Sequence, residues 1–235
     1  MKSHSSRKNT GARGFKLLPG AVLVSLCIVS CTSGKDTSQS KTNRPNIIVI
    51  LSDDIGYSDI GPYGSEIKTP SLDRLAAGGI RFTHFYNTAR CSPSRAALLT
   101  GLYPHQAAMG HLATRPLWDE PGYLDDLNRN TATIAELLHE AGYATYMTGK
   151  WHLWGMNASN MPQGTDIDTT NWPLQRGFDR FFGHLSGSCS YWDPFTLLSG
   201  NKFIAPGDDF YYTDAISDTT VKYIRENPAG KPFFF

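Results

Sequence analysis

Three short stretches carry residues whose types and spacing could do chemistry. The first is Ser52-Asp53-Asp54-Ile55-Gly56, two adjacent carboxylates directly after an apolar run. Carboxylate oxygens are hard donors suited to Ca²⁺ or Mg²⁺. The carboxyl end of a buried strand is where open α/β folds place their sites. An aspartate pair before glycine is also an ordinary turn. The second stretch is Ala89 to Gly101, ARCSPSRAALLTG. Cys91 falls at a helix start, where free backbone N–H groups would polarise a thiol. Pro93 supplies a ready-made helical φ in the first turn, and Arg95, one turn on, lies on the same face as Cys91. A reactive thiol beside a guanidinium is one reading; a disulfide to Cys189 is the other. The third stretch is Gly149-Lys150-Trp151-His152-Leu153. Residues two apart on a strand share a face, so Lys150 and His152 can bring a cation and a titratable imidazole into one cleft. A surface lysine and a structural histidine are the alternative. His4 and His139 read as structural, while His84, His105, His111 and His184 stay open.

These groups need elements to hold them. Asn46 to Ser52, NIIVILS, is a continuous apolar run that predicts a central strand of a parallel sheet, buried on both faces. Thr69 to Ala77 predicts a helix, with Thr69 as N-cap, Pro70 at the first helical position and Gly78-Gly79 as the stop. Ile80 to Tyr86 predicts a second strand, and Ser92 to Leu99 a short helix ended by Gly101. Thr131 to Ala141 is amphipathic, with Ile134, Leu137 and Leu138 on one face. Ala144 to Thr148 predicts a third strand, Asp214 to Arg225 a helix, and Lys231 to Phe235 the opening of a further buried strand. Strands alternating with helices argue for an open α/β sheet. Three terminal phenylalanines are a poor end for a soluble domain and suggest a truncated sequence.

The chain has 235 residues, 18% of them charged, with a net charge of +1. That balance gives no general attraction to nucleic acid. Residues 1–31 read as a targeting segment: Lys2, Arg7, Lys8, Arg13 and Lys16, then a short apolar run from Leu17 to Val29, ending at Ser30-Cys31. The ending resembles a bacterial lipoprotein box, which implies a lipid on Cys31 and an exported, membrane-anchored protein, periplasmic or on the cell surface. An ordinary cleaved signal is the alternative. Residues 32–44 are Ser/Thr/Lys-rich and read as a flexible tether, leaving 45–235 as the N-terminal part of a folded domain.

Read together, the stretches carry a resemblance. CSPSR, with its continuation AALLTG, is similar to the Cys-x-Pro-Ser-Arg signature of the type I sulfatases. NIIVILSDDIGYSDIGPYG, TPSLDRLAAGGIRFTHFY, GKWHL and QRGFDRFFG resemble the same family, in order, from Pro45 to about Pro194. The bacterial arylsulfatase-type members are the nearest in pattern. The resemblance implies an alkaline-phosphatase-like fold, an α/β domain with a mixed, mostly parallel sheet sandwiched by helices. It implies a sulfuric ester hydrolase in which Cys91 is oxidised to Cα-formylglycine by a dedicated maturation enzyme that reads Pro93 and Arg95. Hydrated, the aldehyde attacks the sulfur of a sulfate ester with one hydroxyl, the alcohol leaves, and the second hydroxyl re-forms the C=O and expels sulfate.

By the same resemblance, Asp53, Asp54 and modified Cys91 hold a divalent cation, Ca²⁺ with Mg²⁺ as the alternative. Lys150 contacts the diol and the sulfate, His152 takes the second hydroxyl's proton, and Arg95 orients the diol. The implied substrate is a sulfate ester, with sulfated carbohydrate fragments as a candidate class. The family's later Asp-Asn metal pair, second histidine and second lysine normally lie beyond position 235. About half of the site is therefore expected here, and residues 1–235 alone are expected to have no useful sulfatase activity. Two rivals remain open: a phosphonate or phosphodiester hydrolase of the same superfamily, and a non-catalytic binding lipoprotein. Trp172, Tyr191 and Trp192 could stack on a substrate ring or serve as packing.

Overall fold

The strand that carries Lys150 organises the domain. In a computed structural model, which describes residues 44–113, 120–155 and 167–235, this strand is β1 (Ala144–Lys150). It lies at the junction of two parallel pairings in a five-stranded sheet of order β4-β3-β2-β1-β5. β2 (Arg180–His184) and β5 (Phe233–Phe234) flank it in parallel, while β3 (Leu197–Ser199) and β4 (Lys202–Phe203) extend the far edge in antiparallel pairing. The fold is mixed α/β with a parallel centre, as expected. All described residues fall in one unit, Asn43–Phe235. The targeting segment, Cys31 and most of the tether lie outside the described residues.

Strand alternation divides the core into two layers. On one face Ala144, Tyr146, Phe182 and Phe233 pack with Tyr223 of helix α4 (Tyr212–Arg225). Thr148 and Thr220 share a hydroxyl–hydroxyl hydrogen bond of 2.6 Å on the same face. On the other face Phe181, Phe234, Met147, Trp151 and Phe178 pack with Ala135, Ile134 and Leu138 of helix α3 (Ile134–Glu140). Helix α3 begins at Thr133, whose hydroxyl accepts from the Glu136 N–H at 3.1 Å, while Glu136 Oε2 accepts from the Thr133 N–H at 2.5 Å. This reciprocal cap satisfies two otherwise orphaned donors. Leu137, expected on the core face, points outward and is 57% exposed.

Helices α1 (Pro70–Gly78) and α2 (Cys91–Thr100) fall at the expected places. The Thr69 hydroxyl does not cap α1; it accepts from the Gly61 N–H instead. Two expectations fail. Residues 46–52 are not a central strand: Ile47 makes an isolated parallel bridge to Phe234, and Ile48 to Leu51 are all more than two-fifths exposed. The strand order explains this, because the segment pairs outside β5 and no described strand lies beyond it. Residues 80–86 form no strand, and Ile80, Phe82, Phe85 and Tyr86 are exposed. Arg44, the last residue of the expected tether, donates to the Ala141 carbonyl and stacks over Tyr143.

Candidate active site

Cys91 is the first residue of α2, with Arg90 as its extended N-cap. No side chain caps this helix start. The approach to it is held by a turn in which Asn87 Oδ1 accepts from the Ala89 N–H at 2.6 Å, and by a Thr88–Ser94 hydroxyl contact of 2.9 Å. Ser92, fully buried, accepts from the Ala113 N–H at 3.0 Å and anchors the first turn from inside. Cys91 is half-buried at the helix end and is a free thiol, as is Cys189. The disulfide alternative is therefore excluded. Burial pushes the Cys189 thiol up to about 11, partly opposed by the charge of Lys150, so it is protonated and unreactive at neutral pH.

Arg95 turns the helix into a site. Its guanidinium is buried and reaches two other segments: Nη1 donates to the Lys150 carbonyl at 2.5 Å, and Nη2 lies 3.4 Å from Asp53 Oδ1. Lys150, the last residue of β1, places Nζ 2.7 Å from the second Asp53 oxygen. Burial alone would raise the Asp53 carboxyl, but the hydrogen bond and charge of Lys150, with the charge of Arg95, hold it below the usual carboxylate range. Three segments far apart in sequence thus meet on one carboxylate: the Asp53 loop, the Cys91 helix and the end of β1.

His152 follows as β1 ends. Its backbone sits in the left-handed region (φ 54°), uncommon for a residue other than glycine. Its N–H donates to the Leu185 carbonyl at 3.0 Å. The imidazole is buried, with no hydrogen-bond partner for either nitrogen among the described residues. Burial, reinforced by the charges of Lys150 and Arg95, pushes its pKa down to about 3, so it stands as a neutral base. Gly187 closes over it: a Cβ there would come within 2.4 Å of His152 Nε2.

Asp54 is exposed and also left-handed (φ 53°). Adjacent aspartate oxygens are the right donor type for a hard divalent cation, but both Asp53 oxygens face Arg95 or Lys150. Among the described residues no three His, Cys, Asp or Glu side chains form a group able to hold a metal, so Cys91 is not brought into a ligand set with Asp53 and Asp54. Two carboxylates fall short of the six to eight oxygens Ca²⁺ takes. The donor chemistry fits the cation; the donor count is incomplete.

His84 and His105 are exposed and satisfied locally, His105 by the Tyr123 hydroxyl at 3.1 Å. Sequence reasoning left His184 open and did not single out Tyr212 or Gly187. His184 is the register partner of Lys150, a pairing no local pattern could reveal.

A family model described as Sulfatase matches residues 45–235. The chain belongs to the sulfatase family. It is 34% identical over 212 residues to the arylsulfatase of Klebsiella aerogenes, covering 83% of this chain and 42% of that protein. It is 33% identical over 224 residues to an N-acetylglucosamine-6-O-sulfatase of Bacteroides thetaiotaomicron, covering 93% and 34%. Among solved structures, that of Ps i-CgsB in complex with k-i-k-neocarrahexaose superposes with a TM-score of 0.65 at 30% identity, covering 81% of this chain and 44% of that one. The chain spans less than half the length of each of these proteins. Sulfatases generally use a formylglycine and a divalent cation.

Proposed function

We propose that the protein hydrolyses sulfate monoesters, with Cys91 matured to formylglycine as its nucleophile. The observation that carries this reading is the meeting of Arg95 and Lys150 on Asp53 beside the α2 N-terminus that bears Cys91. Two cations, open helix N–H groups and a neutral buried imidazole are what an oxyanion of sulfur needs for binding and proton handling.

Maturation supplies an aldehyde whose hydrate offers one hydroxyl to attack sulfur and a second to expel sulfate. Arg95, locked between the Lys150 carbonyl and Asp53, fixes the helix end against β1 and so sets the nucleophile's direction. Lys150, almost wholly buried, offers its ammonium to the sulfate oxygens and balances their charge. His152, neutral and with no partner among the described residues, is placed to accept the proton released as the aldehyde re-forms. Asp53 and Asp54 would hold the divalent cation, Ca²⁺ in our reading, which when bound polarises a sulfate oxygen and acidifies the diol.

For the substrate we favour a sulfated sugar. Trp172 is 2% exposed and packs against Trp154 and Phe203, so it is core. Tyr191 and Trp192, by contrast, are 55% and 66% exposed and form a three-ring patch with Tyr211, centroids about 6 Å apart. The Tyr212 N–H donates to the Tyr191 carbonyl at 2.8 Å, and Gly187, which closes over His152, precedes Tyr191 in the same loop. Exposed rings at the rim of an anion site suit the apolar face of a pyranose. The sugars named for two of the relatives, N-acetylglucosamine and a neocarrahexaose, agree with this choice. We also propose export, with a lipid on Cys31 as the membrane anchor.

The test is co-expression of the full-length protein with a maturation enzyme, followed by mass spectrometry of the Cys91 peptide and an assay on paired sulfate and phosphate esters. Aldehyde at Cys91 and turnover of the sulfate ester are expected. An unmodified thiol would favour a binding protein, and preference for the phosphate ester would transfer the site to phosphoryl chemistry.

A further inference from the structure

His184 is 5% exposed and ends β2, directly beside Lys150. Register-paired residues on parallel strands lie about 4.8 Å apart with side chains on the same face. For these two it is the α4 face, because Thr148 bonds Thr220 there and Phe182 packs with Tyr223. The two side chains therefore emerge as neighbours at the carboxyl end of the sheet. Tyr212, the first residue of α4, fixes the imidazole. Its phenol oxygen accepts the His184 backbone N–H at 3.2 Å and lies 2.8 Å from His184 Nδ1.

The accounting of protons assigns the tautomer. With its oxygen taken up by the backbone N–H, the phenol gives its own hydrogen to Nδ1, and no other acceptor for it is found among the described residues. Burial raises the Tyr212 phenol and keeps it protonated. The neutral imidazole then carries its hydrogen on Nε2. That N–H is buried and has no partner among the described residues. Burial, with the nearby charges of Lys150 and Arg95, pushes His184 down to about 4, so the ring does not ionise at neutral pH. A buried donor left unpaired costs about 1–3 kcal/mol. Such a donor calls for an acceptor, and an anion bound beside Lys150 would supply one.

We propose that His184 is a further anion-contacting residue of this site: its Nε2–H, held in that tautomer by Tyr212, donates to an oxygen of the sulfate group bound beside Lys150. This rests on the sulfatase reading but not on Cys91 maturation. Tyr212 acts through His184 and is a positioning residue.

The experiment uses the full-length protein carrying Cys91→Ala, so that no maturation or turnover intervenes, with ¹⁵N-labelled histidine. Inorganic sulfate is titrated in, and binding is followed by calorimetry and by the His184 Nε2–H resonance, assigned from its loss in His184→Gln. The resonance is expected to move along the calorimetric saturation curve. His184→Leu should weaken sulfate binding about tenfold. His184→Gln, which can present an amide N–H near the same point, should restore most of the affinity. Tyr212→Phe should populate the Nδ1–H tautomer and weaken binding in proportion. Sulfate that binds while the resonance stays still, or with equal affinity to His184→Leu, overturns the proposal and leaves the sulfatase reading intact. Failure of sulfate to bind at all removes both.

Discussion

Gly187 gives the sharpest test of where His152 stands. A Cβ at this position would sit 2.4 Å from His152 Nε2 and 2.6 Å from its Cε1, against an ordinary contact of about 3.4 Å. In Gly187→Ala the ring must therefore retreat by about 1 Å. It cannot do so by moving its backbone, which is tied to Leu185 and already in the left-handed region. Overpacking of this kind costs about 1–3 kcal/mol of stability, which a domain of this size can absorb. A 1 Å displacement of a reacting group costs about 100-fold in rate, or about 2.7 kcal/mol of barrier. We expect kcat/KM of the matured full-length enzyme on a sulfate ester to fall about 100-fold while the protein stays folded. His152→Ala should fall further, and the double variant should match His152→Ala alone, because the two changes act on one group. Gly183→Ala is the contrast: its Cβ would meet the Gly149 carbonyl oxygen at 1.9 Å, a clash with backbone, and soluble yield should collapse. Gly187→Ala with undiminished kcat/KM would show that the ring's position does not matter to the reaction.

Asp53→Asn should abolish sulfate ester turnover and also lower the melting temperature, because it leaves the buried Arg95 and Lys150 cations without their shared carboxylate; a variant that keeps its rate would dismiss Asp53 from the site. His152 and His184 stay neutral in the fold well below their ordinary pKa of 6.5, so the stability they carry is full above pH 6.5 and drains as pH falls towards 4. The unfolded chain takes up protons there that the folded chain refuses, costing about 2 kcal/mol per histidine near pH 5. Denaturant titrations across that range should show the slope, and His184→Gln should reduce it. Thr133→Ala removes the α3 cap and the bond of its hydroxyl to the buried Arg176 carbonyl. The loss should be about 2–3 kcal/mol by urea unfolding; a loss under 0.5 kcal/mol would mean the cap is redundant. Chelation should silence the matured enzyme, and Ca²⁺ should restore it; activity that persists in EDTA would refute the cation's role.

Local chemistry was legible where one segment settles the matter. Cys91, Pro93 and Arg95 declare a helix start, and Gly101 its end, because capping and φ preferences act within a turn. Thr133 and Glu136 start α3 by the same local logic, two residues inside the amphipathic stretch expected from Thr131. Burial was less legible, because it depends on what lies next to a strand. The run from Ile47 to Leu51 has the composition of a central strand and yet flanks β5 with its side chains largely exposed. Composition reports what a segment can bury; strand order decides whether a neighbour is there to bury it.

The site itself shows the same division. Asp53, Cys91, Arg95, Lys150 and His152 were each readable from their own motifs, but their meeting was not. What joins them is that β1 runs parallel to β2, so that its end brings Lys150 against His184, and that α2 points Arg95 at the Lys150 carbonyl. His184 shows why this matters. In sequence it is one histidine among seven, in a stretch whose glycines and aromatics explain themselves by packing. Only the register places it beside the lysine, and only the phenol of Tyr212, 28 residues away, fixes which of its nitrogens carries the hydrogen. A role that depends on a tautomer set by a distant residue cannot be written in a local motif. It becomes visible when the hydrogen-bond donors around Lys150 are counted against acceptors and the His184 Nε2–H is left without one among the described residues.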